Sequence, residues 1–370
     1  MAITHDYLDQ YGGAERTVLA ICDRFRSAPL YTSVYDRKVL RRLGFSEPAQ
    51  RIEVSFMARW PLRRRVPRYY HTWLYPVAFR TFDLRGYDLV VSSAHFAAKD
   101  LRLSPGTVHV SYCYTPPRFL WGLDSDTACR MMPLHERPLA LLAKAALRGR
   151  DYRAAQRVHL FIACSEAVAD RIQQAYHRRA LVVYPPVDTE RFQRQPVKDE
   201  GFLLIVSRLN AYKRIDYVVD ACNRARLPLL IVGTGPWERR LRARAGPTAR
   251  VLGHLPDKEV EQLMARCHAF VLPGEEDFGI AAVEAMAAGK PVVALRRGGA
   301  IETVIDGRTG LLYDEPTQET FLDTVCRLPI NGWDPEVARA QARRFDKSRF
   351  AEELDAALAL ALERGPSVLH

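Results

Sequence analysis

Short apolar runs alternate with helix-length amphipathic segments along most of the chain, the pattern of repeated strand–helix units on parallel sheets. Runs at 88–92, 108–112, 160–163 and 181–184 predict one series of buried strands, and runs at 202–206, 229–232, 269–272 and 291–295 predict a second. Two doubly wound α/β domains are the simplest assembly. The break falls near Tyr184-Pro185-Pro186-Val187-Asp188, because consecutive prolines interrupt regular structure, and the polar run 193–200 supplies a loop. Ligand is then expected between the domains. The expected division is 1–187, 188–345 and a terminal segment 346–370. In that last segment Phe350, Leu354, Leu358 and Leu362 line one face of a helix expected over 348–363, a stripe that needs a surface to pack on.

With 370 residues the chain exceeds one typical core, which agrees with two domains, and 48% hydrophobic with 26% charged residues is a globular composition. No repeat at a solenoid period and no low-complexity tract is present. The most apolar helical stretch, 139–147, is broken by Lys144 and closed by Arg148, so no membrane-spanning segment is expected. The first residues lack a basic stretch followed by an apolar one, and a cytoplasmic protein is expected. The cysteines, Cys22, Cys113, Cys129, Cys164, Cys222, Cys267 and Cys326, show no Cys-x-x-Cys spacing, which fits reduced thiols rather than a disulfide framework or a zinc site.

The formal net charge of +11 implies an anionic partner. Arg59, Arg63, Arg64, Arg65 and Arg68 are interleaved with Phe56, Trp60, Tyr69, Tyr70, Trp73 and Tyr75, the composition of a surface that meets an anionic membrane or a lipid-linked acceptor. A solvated face is the plainer reading. Nucleic acid is disfavoured, since no nucleic-acid-binding signature accompanies the charge.

The most informative segment is 273–291, where Gly274-Glu275-Glu276-Asp277-Phe278-Gly279-Ile280 runs into an apolar helix that stops at Gly289. The unpaired amides of its first turn suit a phosphate, and Glu276 and Glu284 flank them as acceptors for sugar hydroxyls. An acidic loop capping an ordinary helix is the alternative. Arg208 and Lys213 stand just beyond the run 202–206, where open α/β sheets bind ligands, and can neutralise a diphosphate. Gly12 and Gly13 open a helix near the start and either let a phosphate or sugar approach the backbone or make a tight turn. Gly233-Thr234-Gly235 lacks a full dinucleotide fingerprint, and Gly298-Gly299 either borders the same pocket or only turns the chain.

Taken together, these residues resemble the retaining glycosyltransferases of family 4, from Gly12-Gly13 through the Tyr184 to Asp188 run, Arg208 with Lys213 and Glu276 to Glu284, to Gly298-Gly299 and Gly310. His5-Asp6-Tyr7, Gly12 to Arg16 and Ser92 to Lys99 further resemble bacterial mannosyltransferase-like enzymes of surface-polysaccharide assembly. The resemblance implies a GT-B fold, two facing Rossmann-like domains with the final helix crossing back to the first. It implies that Glu284 holds the donor ribose, Glu276 the sugar hydroxyls and Arg208 and Lys213 the diphosphate, with Phe278, Gly279 and Ile280 completing the donor cradle. Gly12 and Gly13 join the donor-binding residues, and the first domain takes the acceptor, a glycan or polyprenyl-diphosphate-linked glycan.

One departure stands out, because the family usually carries a histidine where this chain has Tyr114, in Tyr112-Cys113-Tyr114-Thr115-Pro116-Pro117-Arg118. Tyrosine can hydrogen-bond a sugar hydroxyl but cannot become a cation near neutral pH. His95 is a second candidate for sugar or acceptor contact, with Arg118, and is otherwise a packed or surface histidine. The resemblance implies front-face substitution from a nucleotide-sugar donor, GDP-mannose as the first expectation, in which the departing diphosphate takes the acceptor proton. No metal cofactor is expected: Asp124-Ser125-Asp126 has an Asp-x-Asp form but lies outside the donor motifs. A sugar-nucleotide epimerase, a phosphorylase and a catalytically degenerate nucleotide-sugar-binding scaffold remain as rivals.

Overall fold

In a computed structural model the described residues are 1–45, 51–60, 71–122, 137–194, 198–328 and 333–366. The chain divides into two compact units, one of Met1–Tyr184 with Phe350–His370, the other of Pro185–Arg349. Arg63 to Arg68, Tyr69, Tyr70, Asp124 to Asp126 and Cys129 lie outside the described residues.

The first unit holds β1 (Ala2–His5), β2 (Leu30–Thr32), β3 (Ile52–Val54), β4 (Leu89–Ala94), β5 (Val108–Cys113), β6 (Leu160–Ala163) and β7 (Ala180–Val182) in one sheet, ordered β3-β2-β1-β4-β5-β6-β7. Its described pairings are all parallel. Strand alternation sends Ile3 and Val91 to one face, against the Gly13–Arg24 and Glu166–Tyr176 helices. Ala2 and Val90 point to the other face, against the Leu74–Arg80 helix. Coverage on both sides is why these strands read as continuous apolar runs.

The second unit holds β8 (Leu203–Val206), β9 (Leu229–Val232), β10 (Ala249–Gly253), β11 (Ala269–Leu272), β12 (Val292–Leu295) and β13 (Gly310–Tyr313), ordered β10-β9-β8-β11-β12-β13 and again all parallel. Both sheets reverse their strand order beside their first strand, at β1/β4 and at β8/β11. In open α/β sheets ligands bind outside the carboxyl ends of the strands at such a reversal, which selects the loops that matter below.

The eight predicted strands are all present, with ends shifted by at most two residues. The final helix spans Lys347–Arg364 and buries Phe350, Leu354, Ala357, Leu358 and Ala361 in the core of the first unit, with Tyr112 edge-on to Phe350 at 5.9 Å between ring centres. Leu362 departs from the expected stripe, being 48% exposed near the helix end. The described cysteines are unpaired thiols, buried except for Cys326. Among the described residues no helix is long and apolar enough to cross a membrane.

Because Leu354 is fully buried between that helix and the sheet, Leu354→Ala is expected to destabilise the first unit by about 2–5 kcal/mol. Hydrogen exchange should quicken at Val110 and Ile162 and stay unchanged at Ile205 and Val293.

Candidate functional site

In the second unit, four loops leave the carboxyl ends of β8, β9, β11 and β12 and are fastened in two pairs through their backbones. After β8, the Ser207 and Leu209 amides donate to the Val232 and Thr234 carbonyls at 3.0 and 2.9 Å, which fastens the loop of Gly233 and Gly235 beneath it. After β11, the Gly299 amide donates to the Glu276 carbonyl at 2.9 Å, and a side chain at Gly299 would collide with the Phe278 backbone. Gly298, at φ 59°, has no room for a β-carbon beside the Glu276 carbonyl, so these glycines hold the acidic loop in place rather than merely turning the chain.

That lock places Glu276 against Lys213. Lys213 closes a short turn, Ala211–Lys213, and its buried ammonium pairs with the Glu276 carboxylate, with the Tyr212 ring centre 4.9 Å from Nζ. The pair joins the β8 loop to the β11 loop across the strand-order reversal. Phe278 is buried, edge-on to Phe345 at 5.3 Å, and anchors the loop's far end. Gly279 follows at φ 91° and caps the Ile280–Ala287 helix, a backbone conformation in which a side chain is strained. The first amides of this helix have no intrahelical acceptor. Glu284 sits one turn inside, buried at 7% exposure, while Arg208 is exposed at the β8 end. Thus a cation, two carboxylates and a helix N-terminus gather at one sheet edge, able to meet a diphosphate and hydroxyls together.

In the first unit, the loops after β1, β4 and β5 form a second cluster. Asp6 is 1% exposed and its carboxylate accepts the amides of His95, Phe96, Ala97 and Ala98 at 2.7–3.0 Å. Burial alone would push this carboxyl up, but His95 and these amides outweigh it and hold it below the usual carboxylate range. His95 Nδ1 lies 3.1 Å from Asp6 Oδ2, and its Nε2 lies 2.6 Å from the Tyr7 hydroxyl. His5 beside them is buried and hydrogen-bonded to Ser93, and desolvation lowers it to about 4, so it stays neutral.

The Tyr114 hydroxyl donates to the Ala14 carbonyl at 2.9 Å and lies 2.7 Å from Ser93 Oγ. In this conformation it fastens the start of the Gly13–Arg24 helix to β4. Gly12 and Gly13 bound the same turn, where Glu15 is buried and accepts from Gln10 at 2.9 Å. Arg118 opens the four-residue Arg118–Trp121 helix after the proline pair and is half-buried. Of the basic and aromatic run, Phe56, Arg59, Trp60 and Trp73 are exposed, whereas Tyr75 is 3% exposed and belongs to the core. It packs against Phe79 and Ala97, so it is not part of a surface. Among the described residues no three His, Cys, Asp or Glu side chains gather as a metal site.

Sequence reasoning missed Asp6 and Tyr7 as parts of a site, although they were noted in the motif His5-Asp6-Tyr7. No local pattern marks Asp6 as an anchor, since the amides it binds stand some ninety positions later.

Residues 186–345 match the profile of Glycosyl transferases group 1, and residues 11–191 that of Glycosyltransferase Family 4. Among curated relatives, the uncharacterized glycosyltransferase MJ1178 of Methanocaldococcus jannaschii is 29% identical over 199 residues, 52% of this chain and 56% of that protein. A GDP-mannose-dependent alpha-(1-6)-phosphatidylinositol monomannoside mannosyltransferase of Mycolicibacterium smegmatis is 35% identical over 166 residues, 36% of this chain and 43% of that protein. The chain spans about half the length of the curated relatives it matches. Anabaena Alr3699/HepE, solved in complex with UDP-glucose, superposes over 97% of this chain and 99% of its own with a TM-score of 0.69 at 21% identity, a likeness of fold. With the two profiles together covering residues 11–345, the chain belongs to the family 4 glycosyltransferases.

Proposed function

We propose that this protein transfers a hexose, mannose from GDP-mannose as the first candidate, to a glycan or lipid-linked glycan acceptor with retention of configuration. The observation that carries the reading is the Lys213–Glu276 pair set beside the Ile280–Ala287 helix start and the buried Glu284. The donor identity draws on the mannosyltransferase relative, and a UDP-sugar is the alternative that the fold neighbour's bound ligand brings to the test.

In this reading the diphosphate lies against Lys213, Arg208 and the amides of Gly279 and Ile280, which stabilise negative charge as the sugar–phosphate bond breaks. Glu276 accepts from donor-sugar hydroxyls and Glu284 from the ribose. The departing phosphate oxygen takes the acceptor hydroxyl proton while the acceptor oxygen bonds to the anomeric carbon on the same face. The pairing of Lys213 with Glu276 holds the cation in position. The protein's own cations are proposed to serve where a divalent ion would otherwise bridge the phosphates. The exposed Phe56, Trp60 and Trp73 with Arg59 support contact with an anionic membrane, at the inner face of which a lipid-linked acceptor would be met. A binder that holds donor without consuming it is a second reading, favoured by Tyr114 with its hydroxyl occupied.

Lys213→Ala is expected to cut release of nucleoside diphosphate by about a hundred- to a thousandfold while the protein still unfolds cooperatively. An unchanged rate removes Lys213 from the diphosphate site, and donor binding without any release in the parent protein selects the binder. Gly299→Ala forces the Phe278 backbone aside and is expected to abolish a donor-induced rise in melting temperature, measured against GDP-mannose, UDP-glucose and other nucleotide sugars.

A further inference from the structure

One face of the first unit's sheet is covered by the Phe56–Arg59 turn and by the Leu74–Arg80, Arg118–Trp121 and Arg137–Ala155 helices. They pack there through Met57, Ala78, Leu120 and the partly buried Leu147. Among the described residues of this unit, the exposed large apolar side chains other than Leu181 and Leu362 all belong to this layer. Apolar exposure gathered on one layer marks a surface that meets a partner.

The Arg137–Ala155 helix departs furthest from a packed helix. Its carboxyl half is fastened: Asp151 is buried, pairs with Lys99 and accepts from Trp121 Nε1 at 2.9 Å, while Arg150 Nε donates to Asp100 at 2.6 Å. Toward the amino end, Leu141 and Leu142 are 56% and 70% exposed, Ala143, Ala145 and Ala146 are exposed as well, and Lys144 is half-buried. No side of this stretch, about one and a half turns long, enters the core. Leucines surrounded by water gain nothing from folding there, yet a helix held at its far end presents them already ordered to another apolar phase.

Charge selects the occupant. The turn and three helices contain one acidic residue, Asp151, which is buried against Lys99, whereas Arg59, Arg148 and Arg153 are exposed. A second copy docking through this layer would bring like charges together. An anionic bilayer suits both features, since its headgroups attract the arginines and its fluid hydrocarbon edge takes scattered apolar side chains without a shaped pocket. Leu141, Ala145 and Arg148 recur at helical spacing, so apolar contact and cation lie along one side of the helix.

We propose that the amino half of the Arg137–Ala155 helix docks on an anionic lipid surface, inserting Leu141 and Leu142 at the headgroup edge while Arg148 meets lipid phosphate. This extends the membrane contact read above from Phe56, Trp60, Trp73 and Arg59 to a second element, and it does not depend on glycosyl transfer. The helix is the rigid insert, and its fastened half ties the bilayer to the first unit.

Sedimentation of the full chain with vesicles tests it, in the absence of nucleotide sugar. The parent is expected to bind phosphatidylcholine vesicles containing about one third phosphatidylglycerol, to leave pure phosphatidylcholine unbound, and to lose binding as salt is raised. Leu142→Glu, at an exposed position that leaves folding intact, is expected to weaken binding about tenfold. Leu362→Glu makes the same charge change on a helix packed against the other face of the sheet, and is expected to keep binding within about twofold. Equal binding to both vesicle types, or equal losses in the two variants, overturns the proposal. So does parent-like binding by Leu142→Glu; if Trp60→Ser with Trp73→Ser then abolishes binding, the contact proposed earlier stands and this helix has no part in it. Self-association of the parent that Leu142→Glu abolishes, with no vesicle binding, gives the layer to a second copy and also overturns it. Failure of the glycosyl-transfer reading leaves these results unchanged.

Discussion

The candidate donor site depends on one close approach, the backbone of Glu276 to Phe278 lying directly on Gly298 and Gly299. The Gly299 amide holds the Glu276 carbonyl, and no side chain fits between the two segments. With that contact in place, Glu276 reaches Lys213 and Gly279 reaches the conformation that starts the Ile280–Ala287 helix. A partly buried ion pair gains from being held by rigid backbone on both sides, since little side-chain freedom is left to lose on forming it. The acidic loop is thus shaped by the sheet's own strand ends before any ligand arrives.

The first unit solves a similar problem with a side chain. Here a carboxylate, Asp6, gathers four successive amides and fixes the loop after β4. Burying an ion costs several kcal/mol unless hydrogen bonds replace its water, and the amides do so. Lys99, in the same loop, is buried against Asp151, which also accepts from Trp121 Nε1 at 2.9 Å and Tyr176 Oη at 2.7 Å. A loop fastened at both ends by buried charges keeps its backbone in one conformation.

Much of this was legible in the chain. Most central strands announced themselves as apolar runs because helices cover both faces of each sheet, and the Gly274 to Ile280 run carried the cradle because its backbone geometry needs those residue types. Five strands have no counterpart among the predicted runs: the central β1, four residues long, and β2, β3, β10 and β13, which are three to five residues long and lie on the outer parts of the sheets. Ile52–Val54 contains Glu53, and Ala249–Gly253 contains Arg250, so neither reads as a buried run. Tyr114 was placed by its motif, but which way its hydroxyl points is set by Ala14, a hundred residues away in sequence, and local pattern does not encode that. Asp6 was invisible as an anchor for the same reason, its partners standing some ninety positions later.

The central claim is that nucleotide sugar binds at the β8 and β11 strand ends of the second unit, and a hydrogen-exchange footprint of the full chain with GDP-mannose and with UDP-glucose tests it most directly. The account predicts slowed exchange at 279–283 and 207–213 with whichever donor raises stability. Protection confined to other segments, with those two left unchanged, would contradict it.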